Sequence, residues 1–109
     1  MILDRIENMK GGWFIGNFEP TAYKTDVVEV SYKFHKKGEI YDVHYQTKIM
    51  EINLLTHGKM IIQDKELNAG DIFIIPPYEI ADPIFLEDCE VICVKIPGIT
   101  NDKVVVEKK

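Results

Sequence analysis

A chain of 109 residues can close one hydrophobic core and make one domain. With 46% apolar and 28% charged residues it falls among ordinary globular proteins, which excludes disordered, collagenous and coiled-coil classes. Eighteen acidic against thirteen basic residues give a net charge of −5, and the only arginine is Arg5, so the chain offers no footprint for nucleic acid or an anionic membrane surface.

In chain order, the opening MILDRIENMK is acidic where a secretory leader would be basic and then apolar, and no apolar run approaches the roughly eighteen residues of a spanning helix. The expectation is a soluble, cytoplasmic protein. Period-two alternation then predicts strands at Trp13–Phe18 and Asp26–Phe34. The aromatic pair Trp13 and Phe14 reads as packing, and His35, before the turn Lys36-Lys37-Gly38, reads as a solvated strand-end residue. Strands Tyr41–Gln46 and Lys48–Thr56 follow.

The second of these is apolar on both faces, with Met50, Ile52 and Leu54 on one and Ile49 and Leu55 on the other, and is expected to be buried on both sides. Glu51 and Asn53 share the face of Ile49 and Leu55. A carboxylate there must be paired, metal-bound or partly hydrated, which an interior cavity admitting water would satisfy. His57, before Gly58, reads as an exposed turn residue.

Further strands are predicted at Lys59–Gln63, Ile72–Ile75, Pro83–Leu86 and Cys89–Ile96, with turn signals at Asp64-Lys65, Asn68-Ala69-Gly70, Pro76-Pro77 and Glu87-Asp88. On the last strand, Lys95 shares parity with Val91 and Cys93. Either Lys95 enters a cavity or the strand turns Ile92, Val94 and Ile96 to the core. Cys89 and Cys93, four residues apart on a strand, are separated by about 13 Å. That exceeds disulfide reach, so they read as buried small apolar residues in a reducing compartment. The tail after Pro97 reads as peripheral. Eight short strands and no sustained helical period give an all-β sandwich or small barrel.

From Gly38 the chain spells glycine, five residues, His44, one residue, Gln46, four residues, Glu51, six residues, Gly58. This resembles the first motif of the cupin superfamily, with Gln46 in place of the second histidine. The second cupin motif begins with Gly70 and Pro76 and then departs: Tyr78 stands where a glycine is usual, and Ala81 where the fourth, histidine ligand is usual. The chain is thus similar to small single-domain cupins over residues 38 to about 85. The resemblance implies an all-β, cupin-type double-stranded β-helix, or jelly-roll barrel, formed by residues 1–109 as one domain.

It also implies that His44, Gln46 and Glu51 converge in the barrel mouth, where His44 and Glu51 are the catalytic candidates and the trio is the candidate metal set for Fe, Mn, Ni or Zn. One imidazole and a neutral amide are a poor set for a first-row divalent ion, so such a metal is expected to be weakly held or absent. Without metal, His44 and a partly desolvated Glu51 form a base and acid for proton transfer, and without chemistry the trio is a hydrogen-bonded cluster in which Glu51 accepts from His44. Asn53, Gln46, Tyr32 and Tyr78 are the candidate ligand-binding residues, with Tyr41 and Tyr45 as further phenols.

The functional expectation is binding, and transformation, of a small polar metabolite such as a carbohydrate derivative. Two alternatives stand beside it. One is a metal-independent sugar-nucleotide isomerase or epimerase, against which the shortage of arginine forks for a diphosphate counts. The other is a non-catalytic ligand-binding or interaction cupin. Apolar outer sheet faces on so short a chain lead to the expectation of a homodimer.

Overall fold

The structure, a computed structural model, describes residues 1–106. After a single 3-10 turn at Ile6–Asn8 the described chain is all strand and loop. The strands are β1 (Trp13–Gly16), β2 (Tyr23–Lys24), β3 (Glu29–His35), β4 (His44–Gln46), β5 (Met50–His57), β6 (Lys59–Ile62), β7 (Lys65–Asn68), β8 (Ile72–Ile75), β9 (Ile84–Phe85), β10 (Cys89–Ile96) and β11 (Lys103–Val105). One wall is a six-stranded sheet in the order β2-β1-β3-β10-β5-β8. The other comprises the ladders β11-β4 and β7-β6-β9, with an isolated bridge from His44 of β4 to Ala81, just ahead of β9. No helix among the described residues is long and apolar enough to cross a membrane.

Burial follows the alternation that the sequence carries. Along β5, Glu51, Asn53 and Leu55 point inward, while Ile52 and Leu54 on the outer face are half-covered and Met50 is exposed. The expectation that this strand is covered on both sides therefore does not hold for the single chain. Leu55, Val91 and Ile75 from the first wall meet Met60, Ile62, Ala81 and Phe85 from the second, closing a core at one end of the barrel. Each fully buried aliphatic side chain there contributes about 1.5–3 kcal/mol. Gly58 makes the β5–β6 turn possible, because its φ is +95° and a Cβ would lie 2.3 Å from the Asp88 carbonyl oxygen.

Three strands lie outside the expected set. β2 is two residues long, and β7 is a polar edge strand paired only with β6, so neither shows buried alternation. β11 corrects the reading of the tail as peripheral: Lys103, Val104 and Val105 pair with Gln46, Tyr45 and His44. The strand expected from Tyr41 begins only at His44. Asp102, just ahead of β11, accepts hydrogen bonds from the backbone N–H groups of Thr47 (3.0 Å), Lys48 (2.8 Å) and Ile49 (3.1 Å) and from the Thr47 hydroxyl. Burial pushes its carboxyl up, but the Thr47 hydroxyl and those N–H donors outweigh it and hold Asp102 below the usual aspartate range.

Candidate functional site

Cross-strand register decides which side chains meet inside the barrel. Glu29, Lys95, Glu51 and Ile75 form one row across β3, β10, β5 and β8, and Ser31, Cys93, Asn53 and Phe73 form the next. Lys33, Val91 and Leu55 make a third row, and His35 lies opposite Cys89. Since alternate residues share a face, all of these belong to the inner one. Lys95 therefore enters the cavity, which settles the choice left open by its parity, and Ile92, Val94 and Ile96 lie on the outer face.

Between these rows and the second wall lies a cavity of about 280 Å³. His44, Glu51 and Asn53 line it and are 5%, 8% and 7% exposed. The hydrogen bond expected between His44 and Glu51 is replaced by two separate arrangements. His44 Nδ1 lies 2.9 Å from the Asp42 carbonyl oxygen. A carbonyl only accepts, so Nδ1 carries the proton and Nε2 is left as the basic nitrogen. Glu51 Oε1 lies 3.7 Å from Cys93 Sγ and 4.0 Å from Lys95 Nζ. The Cys93 thiol is pushed up to about 12, first by burial and then by the Glu51 charge, so it serves Glu51 as a neutral donor.

The other expected site residues divide. Gln46 is 3% exposed and faces an adjoining groove rather than this cavity, although Trp13, Lys95 and Lys103 line both. Neither amide atom of Gln46 has a hydrogen-bond partner among the described residues, nor has Ser31 Oγ. Asn53 Nδ2 donates to the Phe73 carbonyl oxygen at 3.5 Å. Tyr32 and Tyr78 do not line the cavity. Tyr32 has outward parity on β3 and its hydroxyl bonds to Glu90, and Tyr78 is exposed at a φ of +69° with its ring 6.0 Å from that of Tyr45.

Several lining residues, Tyr41 apart, were not singled out as site residues by the sequence. β3 runs one residue further than its apolar pattern suggests, so His35 turns inward with the parity of Lys33 rather than into solvent. Its ring stacks on Phe85 at 4.3 Å, and its Nδ1 lies 2.7 Å from the Glu39 carboxylate. Burial raises Glu39, but the bonds from His35 and the Lys36 N–H outweigh it and hold the carboxyl below its usual range. Tyr41 is pushed up to about 12, mainly by burial and then by the Glu51 charge. Trp13, read as packing, lines the wall, with Lys33 Nζ 5.0 Å and Lys95 Nζ 4.8 Å from its ring centroid. Lys103 arrives from the tail and sits 5.2 Å from the Tyr41 ring centroid.

This donor set does not fit a divalent metal. Among the described residues no three His, Cys, Asp or Glu side chains converge in a metal-holding group. Gln46 stands in a neighbouring groove, Glu51 lies beside the Lys95 ammonium, and Lys33 and Lys103 add further positive charge to the same walls. A cation entering there meets the repulsion of these ammonium groups, and the two lining imidazoles, His35 and His44, are not gathered with carboxylates into a metal-holding group.

No family model and no curated protein matches the sequence. Solved structures do match. A Klebsiella pneumoniae protein with a double-stranded β-helix domain is similar at 20% identity and a TM-score of 0.69, over 77% of this chain and 74% of that one. The DMSP lyase DddQ of Ruegeria pomeroyi is similar at 15% identity and a TM-score of 0.72, over 89% of this chain and 52% of that one. The chain thus spans about half the length of DddQ. Pac13, a nucleoside dehydratase, known from Streptomyces, is similar at 12% identity and a TM-score of 0.64, over 76% of this chain and 71% of that one. Small-molecule enzymes thus occur on this architecture, and at these identities the likeness carries the architecture itself: the chain has the cupin-type double-stranded β-helix fold.

Proposed function

We propose that the barrel binds a small polar metabolite in the cavity and moves a proton on it, with His44 and Glu51 as the working pair and no resident metal. The observation that carries this reading is the fixed tautomer of His44. The Asp42 carbonyl holds Nδ1–H, so Nε2 is available as a base on a wall shared with Glu51. In this reading Nε2 takes a proton from the bound molecule and returns it at a neighbouring position, which is the chemistry of isomerisation, epimerisation or elimination. Glu51 and Asn53 receive the hydroxyls of the ligand, and Gln46 reaches any part of it that extends into the adjoining groove.

A sugar nucleotide fits less well than a smaller metabolite. The only arginine, Arg5, is bound to Glu7 at the exposed N-terminal turn and gives the cavity no guanidinium fork for a diphosphate. The test is incubation with a metabolite panel, read by thermal shift and by mass spectrometry or NMR of the recovered ligand. Wild-type protein is expected to convert a stabilising ligand, while His44→Gln and Glu51→Gln still bind it without turnover. Recovery of every stabilising ligand unchanged from wild type would reduce the protein to a binding module.

We also propose that the protein is a homodimer that covers the outer face of the six-stranded sheet. Phe34, Met50, Ile72, Ile74 and Ile96 are all exposed on that face beside half-covered Ile52, Leu54 and Ile92, a grouping of apolar side chains that supports a covered face. Sedimentation showing a monomer at micromolar concentration would refute it. Two buried free cysteines, Cys89 and Cys93, suit a reducing, cytoplasmic setting.

A further inference from the structure

Three lysines, Lys33, Lys95 and Lys103, line the cavity, and they are not equally paired. Lys95 lies in register between Glu29 and Glu51, with its Nζ 4.0 Å from Glu51 Oε1, and Lys103 pairs with Asp42 at 3.4 Å. Lys33, two residues along β3 from Ser31, faces Val91 across the ladder and belongs to no ion pair among the described residues. The Trp13 ring, 5.0 Å from its Nζ, and the Glu39 charge, beyond ion-pair distance, offer it partial compensation, and Lys95 approaches the same ring. A half-buried ammonium without a counter-charge costs stability unless an anion is present. Burial, with the Lys95 charge beside it, pulls Lys33 below the ordinary lysine range, as expected of a cation in such a place.

We propose that Lys33 and Lys95, gathered over Trp13, form a subsite for the carboxylate of a small monoanionic metabolite whose body lies toward Phe73, Phe85 and Met60. This rests on the reading of the cavity as a ligand site and names the substrate class for it. Of the three lysines lining the cavity, Lys33 is the one without an ion-pair partner among the described residues, and a single carboxylate would supply one. A phosphate dianion is disfavoured, because Glu51 stands on the same wall and the lysines offer point charges rather than a guanidinium fork. The volume of about 280 Å³ sits at the small end for ligand pockets, which suits a body of one ring or a short chain. His44 and Glu51 line the same cavity as the two lysines, and Glu51 Oε1 lies 4.0 Å from Lys95 Nζ.

Trp13 is the only tryptophan and lies in the subsite, so its fluorescence reports occupancy directly. Full-length protein is titrated with benzoate, benzamide and phenyl phosphate, and with lactate, lactamide and glycerol, with thermal shift as a second readout. The carboxylates are expected to quench or shift Trp13 emission and to bind at least about tenfold more tightly than their neutral amides. Lys33→Met is expected to erase that preference and to leave the Tm of the free protein unchanged or higher, since it removes an unpaired charge; Lys33→Arg keeps the preference. Equal binding of carboxylate and carboxamide would overturn the subsite and leave the cavity a ligand site. Tighter binding of phenyl phosphate would overturn the assignment to carboxylates. No response to any of the six probes would overturn the subsite and the ligand-site reading together.

Discussion

Asp102 ties the chain's C-terminal part to the turn between the two strands that bear the site, and its removal has a size that can be worked out. Asp102→Ala takes away the acceptor of four hydrogen bonds, from the Thr47, Lys48 and Ile49 N–H groups and the Thr47 hydroxyl. A hydrogen bond to a charged group contributes about 1.5–3 kcal/mol net, and a donor left buried without a partner costs about 1–3 kcal/mol. The Lys48 N–H lies at an exposed residue and regains water, whereas Ile49 is 1% exposed and its N–H does not rehydrate readily. Because the carboxylate is only partly buried, the sum is discounted to about 2–4 kcal/mol.

For a domain of this size that is a fall in Tm of roughly 8–16 °C, measured by calorimetry at neutral pH. The folded pKa of Asp102 is lowered, so its stabilising effect is full above the unfolded aspartate value of about 3.9 and is lost as pH falls through the folded one. The Tm gap between wild type and Asp102→Ala should therefore close in acid. A neutral-pH shift below about 2 °C, or a gap that widens as pH falls, would refute the reasoning.

Gly58→Ala places a methyl 2.3 Å from the Asp88 carbonyl oxygen at a φ of +95°, and a loss of about 1–3 kcal/mol is expected in urea unfolding; a change within error would contradict the turn geometry. Leu55→Ala empties a position that is 0% exposed at the centre of the core and should cost about 2–5 kcal/mol by the same assay. Cys93, pushed up to about 12, should react with a thiol reagent at pH 8 roughly a thousandfold more slowly in the native protein than in denaturant, and Cys89, raised mainly by burial, should also be slowed; fast labelling of the native chain would place a thiol at the surface.

The motif pointed to His44 and Glu51 and the period-two pattern added Asn53, and all three line the cavity, because such a pattern reveals which residues share a strand face. It does not reveal what lies opposite. Lys33, Lys95 and Trp13 meet only through the registers of β1 on β3 and β3 on β10, which pair residues far apart in the chain. Gln46 shows the same limit from the other side: its parity with His44 was legible, but its displacement into the neighbouring groove depends on how β4 is capped by Tyr78 and β11. The polar β7 and the short, exposed β11 carry too little buried alternation to stand out. His35 was misplaced because its neighbours Lys36 and Lys37 are turn-like, and the stacking on Phe85 that draws it inward joins distant parts of the chain.

The cavity wall is assembled from both extremes of the described chain, with Trp13 from β1 and Lys103 from β11. A nascent chain leaving the ribosome would thus carry no finished pocket until β11 has emerged, and partly made protein would not sequester metabolite. A bound ligand, in turn, couples the first strand to the last. Its protection against amide exchange should extend over the whole barrel rather than remain local, since opening either end disassembles the pocket.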